Sequence, residues 1–150
     1  MIINAKWNKR YMKLASDVAQ WSKDPSSQIG AVAISSRGQV LSTGYNGFPR
    51  NIEDTEERLN DRTIKYSLIV HAEMNMIFNA TYNGVSLDNS TVFVAGLPCC
   101  SQCALGIIQV GVKHVVMNGD PDNARWSESA HLALDLFDEA GVTWEFTANE

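Results

Sequence analysis

Two short motifs that lie far apart in the sequence place the strongest constraint on the fold. His71-Ala72-Glu73 lies near the middle of the chain, and Cys100 and Cys103 form a C-x-x-C pair further on. Two thiolates at this spacing can bind one metal ion from a single helical turn, with His71 as a third ligand. Three protein ligands leave the fourth position of a zinc ion open, as in catalytic sites. We therefore expect a fold that brings both motifs together, with Glu73 beside the open position.

Each motif alone has a less specific interpretation. A lone C-x-x-C pair is as often redox-active, or half of a structural zinc site, as catalytic, and H-x-E alone indicates almost nothing. Together and in this order, with Pro98 ahead of the cysteines, they match the pattern of zinc-dependent deaminases of nucleosides, nucleotides and nucleobases. A carboxylate such as Glu73, which is not needed as a ligand, is suited to moving protons during attack by water.

Length and composition predict one domain over residues 1–150, soluble and cytoplasmic. A chain of 150 residues can bury enough surface for a sheet covered by helices. Its odd number of cysteines, three, suits a reducing compartment better than a disulfide framework. With a net charge of −5, the chain does not have the excess of basic residues that is typical of a nucleic-acid-binding protein. We expect a small-molecule partner, and neither a nucleic acid nor a membrane.

Hydrophobic periodicity predicts the element order αββαβαβαβ. The predicted helices cover residues 7–22, 67–80, 101–111 and 128–140, and the predicted strands cover 28–34, 39–43, 91–95, 113–117 and 142–146. Residues 44–50 are predicted to be a glycine-rich loop, and 51–65 a mobile excursion with at most one helical turn. A hairpin followed by three crossovers gives an α/β fold: a five-stranded mixed sheet in a three-layer α-β-α arrangement.

Both motifs fall near predicted helix N-termini. Residues two apart do not share a helix face, so His71 and Glu73 can flank one metal only if their helix directs its N-terminal end into the site. Cys100 and Cys103 start the next helix, where backbone N–H groups favour thiolates. Further along the first of these helices, Met74, Ile77 and Phe78 are expected to face inward.

Most of the chain resembles the cytidine and deoxycytidylate deaminase family, in particular its deoxycytidylate branch. Besides residues 71–75, the stretches that carry the resemblance are Ser22-Lys23-Asp24-Pro25, Ser27-Gln28-Ile29-Gly30-Ala31, Gly44-Tyr45-Asn46-Gly47-Phe48-Pro49, Cys103-Ala104, Ile107-Ile108-Gln109 and Gly111-Val112-Lys113. The resemblance implies a cytidine deaminase-like fold and hydrolytic deamination of dCMP to dUMP.

The resemblance also implies roles for individual site residues. It implies that His71, Cys100 and Cys103 bind zinc, that Glu73 shuttles the proton, and that Asn46 and the backbone of Ala72 contact the substrate. The family's proline before the first zinc cysteine is replaced here by Cys99. Aligning backward from Cys103 leaves Cys99 spare, and the alternative that Cys99 is the ligand stays open.

The same resemblance implies a regulated homohexamer. Such deaminases are commonly activated by dCTP and inhibited by dTTP, with Mg²⁺ accompanying the triphosphate. Lys23, Gly47 and Arg50 are the candidate phosphate or effector residues, with Arg50 preferred for the phosphate. Other candidate cations are Arg58, Arg62, Lys113 and Arg125. Trp126, before the last helix, is expected to serve packing rather than base binding.

Two alternatives to dCMP deamination remain. Another zinc deaminase would act on free cytidine or cytosine, dCTP or tRNA adenosine, although the net negative charge and Tyr45-Asn46-Gly47 disfavour tRNA. A non-catalytic, zinc-stabilised nucleotide-binding module is disfavoured by Glu73, since a structural zinc site needs no carboxylate there.

Overall fold

A mixed five-stranded sheet lies between helices in the computed structural model, which describes residues 4–148. Within this range the elements are α1 Ala5–Ala19, β1 Gly30–Ile34, β2 Val40–Tyr45, α2 Glu56–Asn60, α3 Arg62–Leu68, α4 Ala72–Tyr82, β3 Thr91–Ala95, α5 Ser101–Gln109, β4 His114–Met117, α6 Ser127–Ala140 and β5 Thr143–Phe146. The strand order is β2-β1-β3-β4-β5. β1 is antiparallel to β2 and β3, whereas β3, β4 and β5 are parallel. The predicted three-layer α/β fold is confirmed.

Different helices cover the two faces of the sheet. Every residue of β1 and β3 is buried, and successive residues point to opposite faces. One face, which includes Val32 and Phe93, packs against Tyr11, Ala15 and Val18 of α1. The other face packs against α4, α5 and α6 through a larger core. In the described part of the chain no helix has the length and apolarity that crossing a bilayer requires.

Residues 51–65 differ from the prediction of an irregular excursion. They contain α2 and most of α3, each with its own N-cap. Thr55 Oγ1 accepts a hydrogen bond from the Arg58 N–H, and Asp61 Oδ1 accepts one from the Ile64 N–H. Helices of five and seven residues are too short to show a hydrophobic period, so capping residues are the signal that sequence reasoning missed.

Three further expectations were wrong in detail. Gly44 and Tyr45 belong to β2 rather than to the following loop, and the motif helix α4 starts at Ala72 instead of residue 67. Phe78 was expected to face inward but is 49% exposed. The buried face of α4 is instead formed by Ala72, Met76, Ile77 and Ala80, because the helix lies closely against β2.

The contact between α4 and β2 depends on a glycine. A Cβ atom at Gly44 would overlap the backbone nitrogen of Met76 and the backbone oxygen of Ala72. Side-chain hydrogen bonds fix this close approach: Ser42 Oγ donates to the Met76 carbonyl at 2.7 Å, and Asn79 Nδ2 donates to the Thr43 carbonyl at 2.8 Å. The position of β2 therefore determines the position of the His71-Ala72-Glu73 motif.

We predict that Gly44→Ala lowers the free energy of unfolding by about 2–3 kcal/mol, because the added methyl group forces α4 away from β2. The measurement is urea unfolding followed by circular dichroism. Gly47→Ala is the control, since the nearest atom to its Cβ would be a Tyr45 ring carbon at 3.8 Å. We expect it to change stability by less than about 1 kcal/mol. Equal losses in the two variants would contradict this role of Gly44.

Candidate active site

The N-terminal ends of α4 and α5 meet beside the sheet. His71 is the N-cap of α4, Glu73 lies in its first turn, and Cys100 is the N-cap of α5. Asn75 fixes the start of α4 by donating to the carbonyl of Tyr45 at 2.8 Å. Both helix ends therefore direct backbone N–H groups toward one region, and that region favours negatively charged ligands such as thiolates.

The geometry of the three candidate metal ligands fits zinc. His71 Nδ1 lies 3.4 Å from Cys100 Sγ and 3.4 Å from Cys103 Sγ. Tetrahedral zinc, with Zn–N near 2.0 Å and Zn–S near 2.3 Å, separates nitrogen and sulfur by about 3.5 Å. The three ligand atoms all lie within 4.8 Å of one another, and no other such His/Cys/Asp/Glu group occurs in residues 4–148. One imidazole and two thiol groups form a donor set typical of catalytic zinc.

Cys99 does not belong to this group. Its side chain is 1% exposed, and burial raises the pKa of its thiol well above the usual value. The Sγ atoms that form one group with His71 Nδ1 are those of Cys100 and Cys103, so the geometry favours Cys100 over Cys99 as the ligand. The Cys100 Sγ atom accepts a hydrogen bond from the Cys103 N–H at 3.4 Å, and Cys100 has a lowered pKa through its hydrogen bonds with the Cys103 thiol and His71.

Glu73 is buried close to the ligand group, with 3% of its surface exposed. Burial, together with the nearby Cys100 charge and against the opposing effect of His71, raises the pKa of the Glu73 carboxyl to about 7. His71 itself has a raised pKa, mainly because of its hydrogen bond with Cys100. A carboxyl group that titrates near neutral pH can both accept and release a proton, as a general acid–base catalyst must.

A cavity of about 410 Å³ lies over this group, within the usual size range for a small-molecule site. Its lining includes His71, Ala72, Glu73 and Cys100 together with Asp24, Ser26, Ser27, Ile29, Asn46, Lys65, Tyr66, Ile69, Leu97, Pro98, Cys99, Gln102, Arg125, Trp126, Ser129 and Ala130. Sequence reasoning missed Lys65 and Tyr66, because they lie in α3, which was not predicted.

Both candidate substrate-binding residues line the cavity, but Asn46 makes its hydrogen bonds within the protein. Asn46 Nδ2 donates to the Ser27 carbonyl at 2.9 Å and to Asp24 Oδ2 at 3.4 Å. Its Oδ1 accepts from the Ile29 N–H at 2.9 Å. The amide thereby fixes residues 24–29 as one wall of the cavity, whereas Ala72 lies at the start of α4, next to both His71 and Glu73.

The candidate phosphate and effector residues lie elsewhere. Lys23, Gly47 and Arg50 are absent from the cavity lining. Lys23 Nζ pairs with Asp54 at 3.2 Å, and the Gly47 backbone bridges to Val70. Arg50 donates to Asn79 Oδ1 at 2.6 Å and lies over the Tyr82 ring. Of the other cations considered from the sequence, only Arg125 lines the cavity.

Comparisons with known proteins agree with this geometry. Residues 5–118 match the family model of the cytidine and deoxycytidylate deaminase zinc-binding region. The chain is 38% identical over 144 residues to a deaminase in the luxG 3′ region of Aliivibrio fischeri, covering 93% of this chain and 94% of that one. It is 37% identical over 146 residues to the deoxycytidylate deaminase of Homo sapiens, covering 93% of this chain and 78% of the human protein.

A solved structure shows the same fold. The dCMP deaminase of cyanophage S-TIM5, crystallised with dCMP and dUMP, superposes with a TM-score of 0.78 at 23% identity. The alignment covers 97% of this chain and all (100%) of that one.

We predict that Cys100→Ala abolishes stoichiometric zinc binding while Cys99→Ala retains it, because Cys100 belongs to the ligand group with His71 and Cys103 and Cys99 does not. Inductively coupled plasma mass spectrometry on the purified variants provides the measurement. Circular dichroism checks that both variants are folded. Loss of zinc from Cys99→Ala, with zinc retained in Cys100→Ala, would reverse the assignment.

Proposed function

Because the chain belongs to the cytidine and deoxycytidylate deaminase family, we propose that it catalyses the hydrolysis of dCMP to dUMP and ammonia. One observation carries the proposal: the buried Glu73 carboxyl lies beside the His71, Cys100 and Cys103 group at a cavity of about 410 Å³. Relatives named deoxycytidylate deaminases, 37% identical over most of the chain, support this substrate.

The proposed chemistry divides between the metal and Glu73. Zinc, when bound by His71, Cys100 and Cys103, supplies a Lewis acid that makes water nucleophilic at neutral pH. Glu73 takes up the proton that water loses and delivers it to N3 of the base. After the water oxygen has bonded to C4, Glu73 moves a second proton from the new C4 hydroxyl to the amino nitrogen. The C4–N bond then breaks, ammonia leaves and the C4 carbonyl forms. A buried carboxyl with a pKa near 7 is suited to both directions of transfer.

The cavity wall explains how a pyrimidine nucleotide could be oriented. We propose that the backbone of Ala72 contacts the base. Asn46 shapes the cavity wall through its hydrogen bonds to Ser27 and Ile29. Trp126 lines the same cavity and makes an edge contact with Tyr66, with ring centroids 6.3 Å apart. The aromatic pair closes the side of the cavity formed by α3 and the start of α6.

Arg125 is the best-placed cation for the substrate phosphate. It lines the cavity, and its guanidinium lies over the Trp126 ring at 5.7 Å. Within residues 4–148 it has no carboxylate partner, whereas Lys65, the other cation of the lining, is paired with Asp24. An unpaired guanidinium can bind a phosphate through two parallel hydrogen bonds. Arg125 therefore replaces Arg50 as the proposed phosphate ligand.

Regulation is a separate part of the proposal. The family resemblance suggests a homohexamer activated by dCTP and inhibited by dTTP, with Mg²⁺ bound to the triphosphate. Lys23, Gly47 and Arg50 stay the candidate effector residues. Since none of these three residues lines the cavity, an effector bound by them would not compete with the substrate for space in the cavity.

The first test is ammonia release from dCMP, deoxycytidine and dCTP by zinc-loaded protein. We expect selective turnover of dCMP, because the cavity offers one unpaired cation near a buried proton shuttle. Added dCTP should raise this activity and dTTP should lower it. Turnover of deoxycytidine alone would contradict the nucleotide substrate, and no turnover of any substrate would favour a zinc-stabilised binding module.

We predict that Glu73→Gln lowers kcat for dCMP by about 10²–10⁴-fold, because glutamine cannot transfer the proton. Zinc content and melting temperature should remain close to those of the wild type, since Glu73 is not a ligand. Glu139→Gln, at an exposed position of α6, is the matched control and should keep wild-type kcat. A Glu73→Gln variant with more than a tenth of wild-type kcat would exclude Glu73 as the shuttle.

A further inference from the structure

A buried ion pair in the cavity wall has no role in the chemistry described above. Lys65 Nζ lies 3.0 Å from Asp24 Oδ1, and the two side chains are 5% and 7% exposed. Both residues line the cavity. The Lys13–Asp17 and Lys23–Asp54 pairs, by contrast, are exposed. Burying two charges commonly stabilises a fold no better than apolar side chains of the same shape, so stability alone does not account for the pair.

Asp24 organises the backbone of the cavity wall. Its Oδ1 accepts hydrogen bonds from the N–H groups of Ser26 at 2.8 Å and Ser27 at 3.2 Å, in addition to the Lys65 ammonium. Its Oδ2 accepts from Asn46 Nδ2 at 3.4 Å. The carboxylate therefore holds the turn at residues 24–27 in the shape that faces the cavity.

The same carboxylate lines the cavity together with Arg125, the proposed phosphate ligand. Tyr66 follows Lys65 directly, and its ring contacts that of Trp126, which follows Arg125. The segments carrying the two cations of the lining are thus in contact. An uncompensated carboxylate in the same lining would repel a phosphate, because charges interact strongly in a partly desolvated cavity.

We propose that Lys65 is a specificity-determining positioning residue, which holds Asp24 in the cavity wall and cancels the charge that would otherwise repel the 5′-phosphate. This inference rests on the proposed function, since it concerns how the same cavity accepts a nucleotide. Arg125 then supplies the positive charge that binds the phosphate, and the Asp24–Lys65 pair, which is neutral overall, fixes the shape of the cavity wall.

The test compares substrates with and without the phosphate. We measure kcat/KM for dCMP and deoxycytidine, and the Kd values of dUMP and deoxyuridine by calorimetry on zinc-loaded protein. The variants are Lys65→Met, which leaves Asp24 unpaired, and the double variant Lys65→Met/Asp24→Asn, which is neutral. After Asp24→Asn, the side-chain amide oxygen can still accept from the Ser26 and Ser27 N–H groups. Lys13→Met, which breaks an exposed pair with Asp17 on α1, is the matched control.

We expect Lys65→Met to lower the preference for dCMP over deoxycytidine, and for dUMP over deoxyuridine, by at least about tenfold. The double variant should recover the wild-type preference to within about threefold, and the control should retain it. An equal loss for ligands with and without phosphate would show a purely structural Lys65 and overturn the proposal. A preference lost equally in the single and double variants would show direct contact between Lys65 and the phosphate, and would also overturn it.

Two further arms keep the outcomes separate. If thermal unfolding shows that Lys65→Met does not fold, the test uses the single variant Asp24→Asn. This variant removes the negative charge and should keep or raise the preference for dUMP over deoxyuridine. A lower preference for dUMP would overturn the proposal. Wild-type protein that binds dUMP in preference to deoxyuridine but deaminates nothing refutes the proposed function. The binding arm then still tests Lys65.

Discussion

Direct contact between the backbones of α4 and β2 determines where the chemistry of this molecule takes place. Gly44 has no side chain, so the helix lies on the strand at a distance that any Cβ atom would prevent. Hydrogen bonds from Asn75 and Asn79 to backbone carbonyls of β2 hold the helix at one height along the strand. The height of α4 sets the place of His71, which must meet the cysteines of α5 within a few tenths of an ångström for zinc to bind. The position of the sheet therefore determines the geometry of the candidate metal site.

Two buried ionisable groups face the same cavity, and their different surroundings suit different tasks. Within residues 4–148 Glu73 forms no ion pair with a lysine or arginine, and burial raises the pKa of its carboxyl to about 7, within the range useful for proton transfer. Asp24 has an ammonium partner at 3.0 Å and accepts hydrogen bonds from two backbone N–H groups. The carboxyl group suited to proton transfer and the one that holds the cavity wall are thus distinguished by what touches them.

Sequence reasoning reached the core of the fold and named the three residues that the structure brings together as a candidate zinc site, but it missed the part of the cavity rim formed by α3. The hydrophobic periodicity of the five strands and the longer helices predicts these elements, and the spacing of Cys100 and Cys103 is typical of zinc ligands. By contrast, α2 and α3 are too short for a period, so Lys65 and Tyr66 had no predicted element to place them. Their contacts with Asp24 and Trp126 join residues 41 and 60 positions apart in the chain. Such pairings depend on tertiary packing, which no local pattern encodes.

Three of the stretches that carry the family resemblance, residues 22–25, 27–31 and 44–49, are parts of one structural unit. Ser22 Oγ donates to the Asn46 carbonyl at 2.7 Å, and Gln28 Nε2 donates to the Ser22 carbonyl at 2.8 Å. Asn46 in turn binds Asp24, Ser27 and Ile29 through its side chain. Asn46 was interpreted from the sequence as a substrate ligand, and in the structure its side-chain amide also makes three hydrogen bonds within the protein. A motif can therefore mark the framework of a binding site as readily as the groups that touch the ligand, and here the framework gives the cavity wall a shape that does not depend on bound substrate.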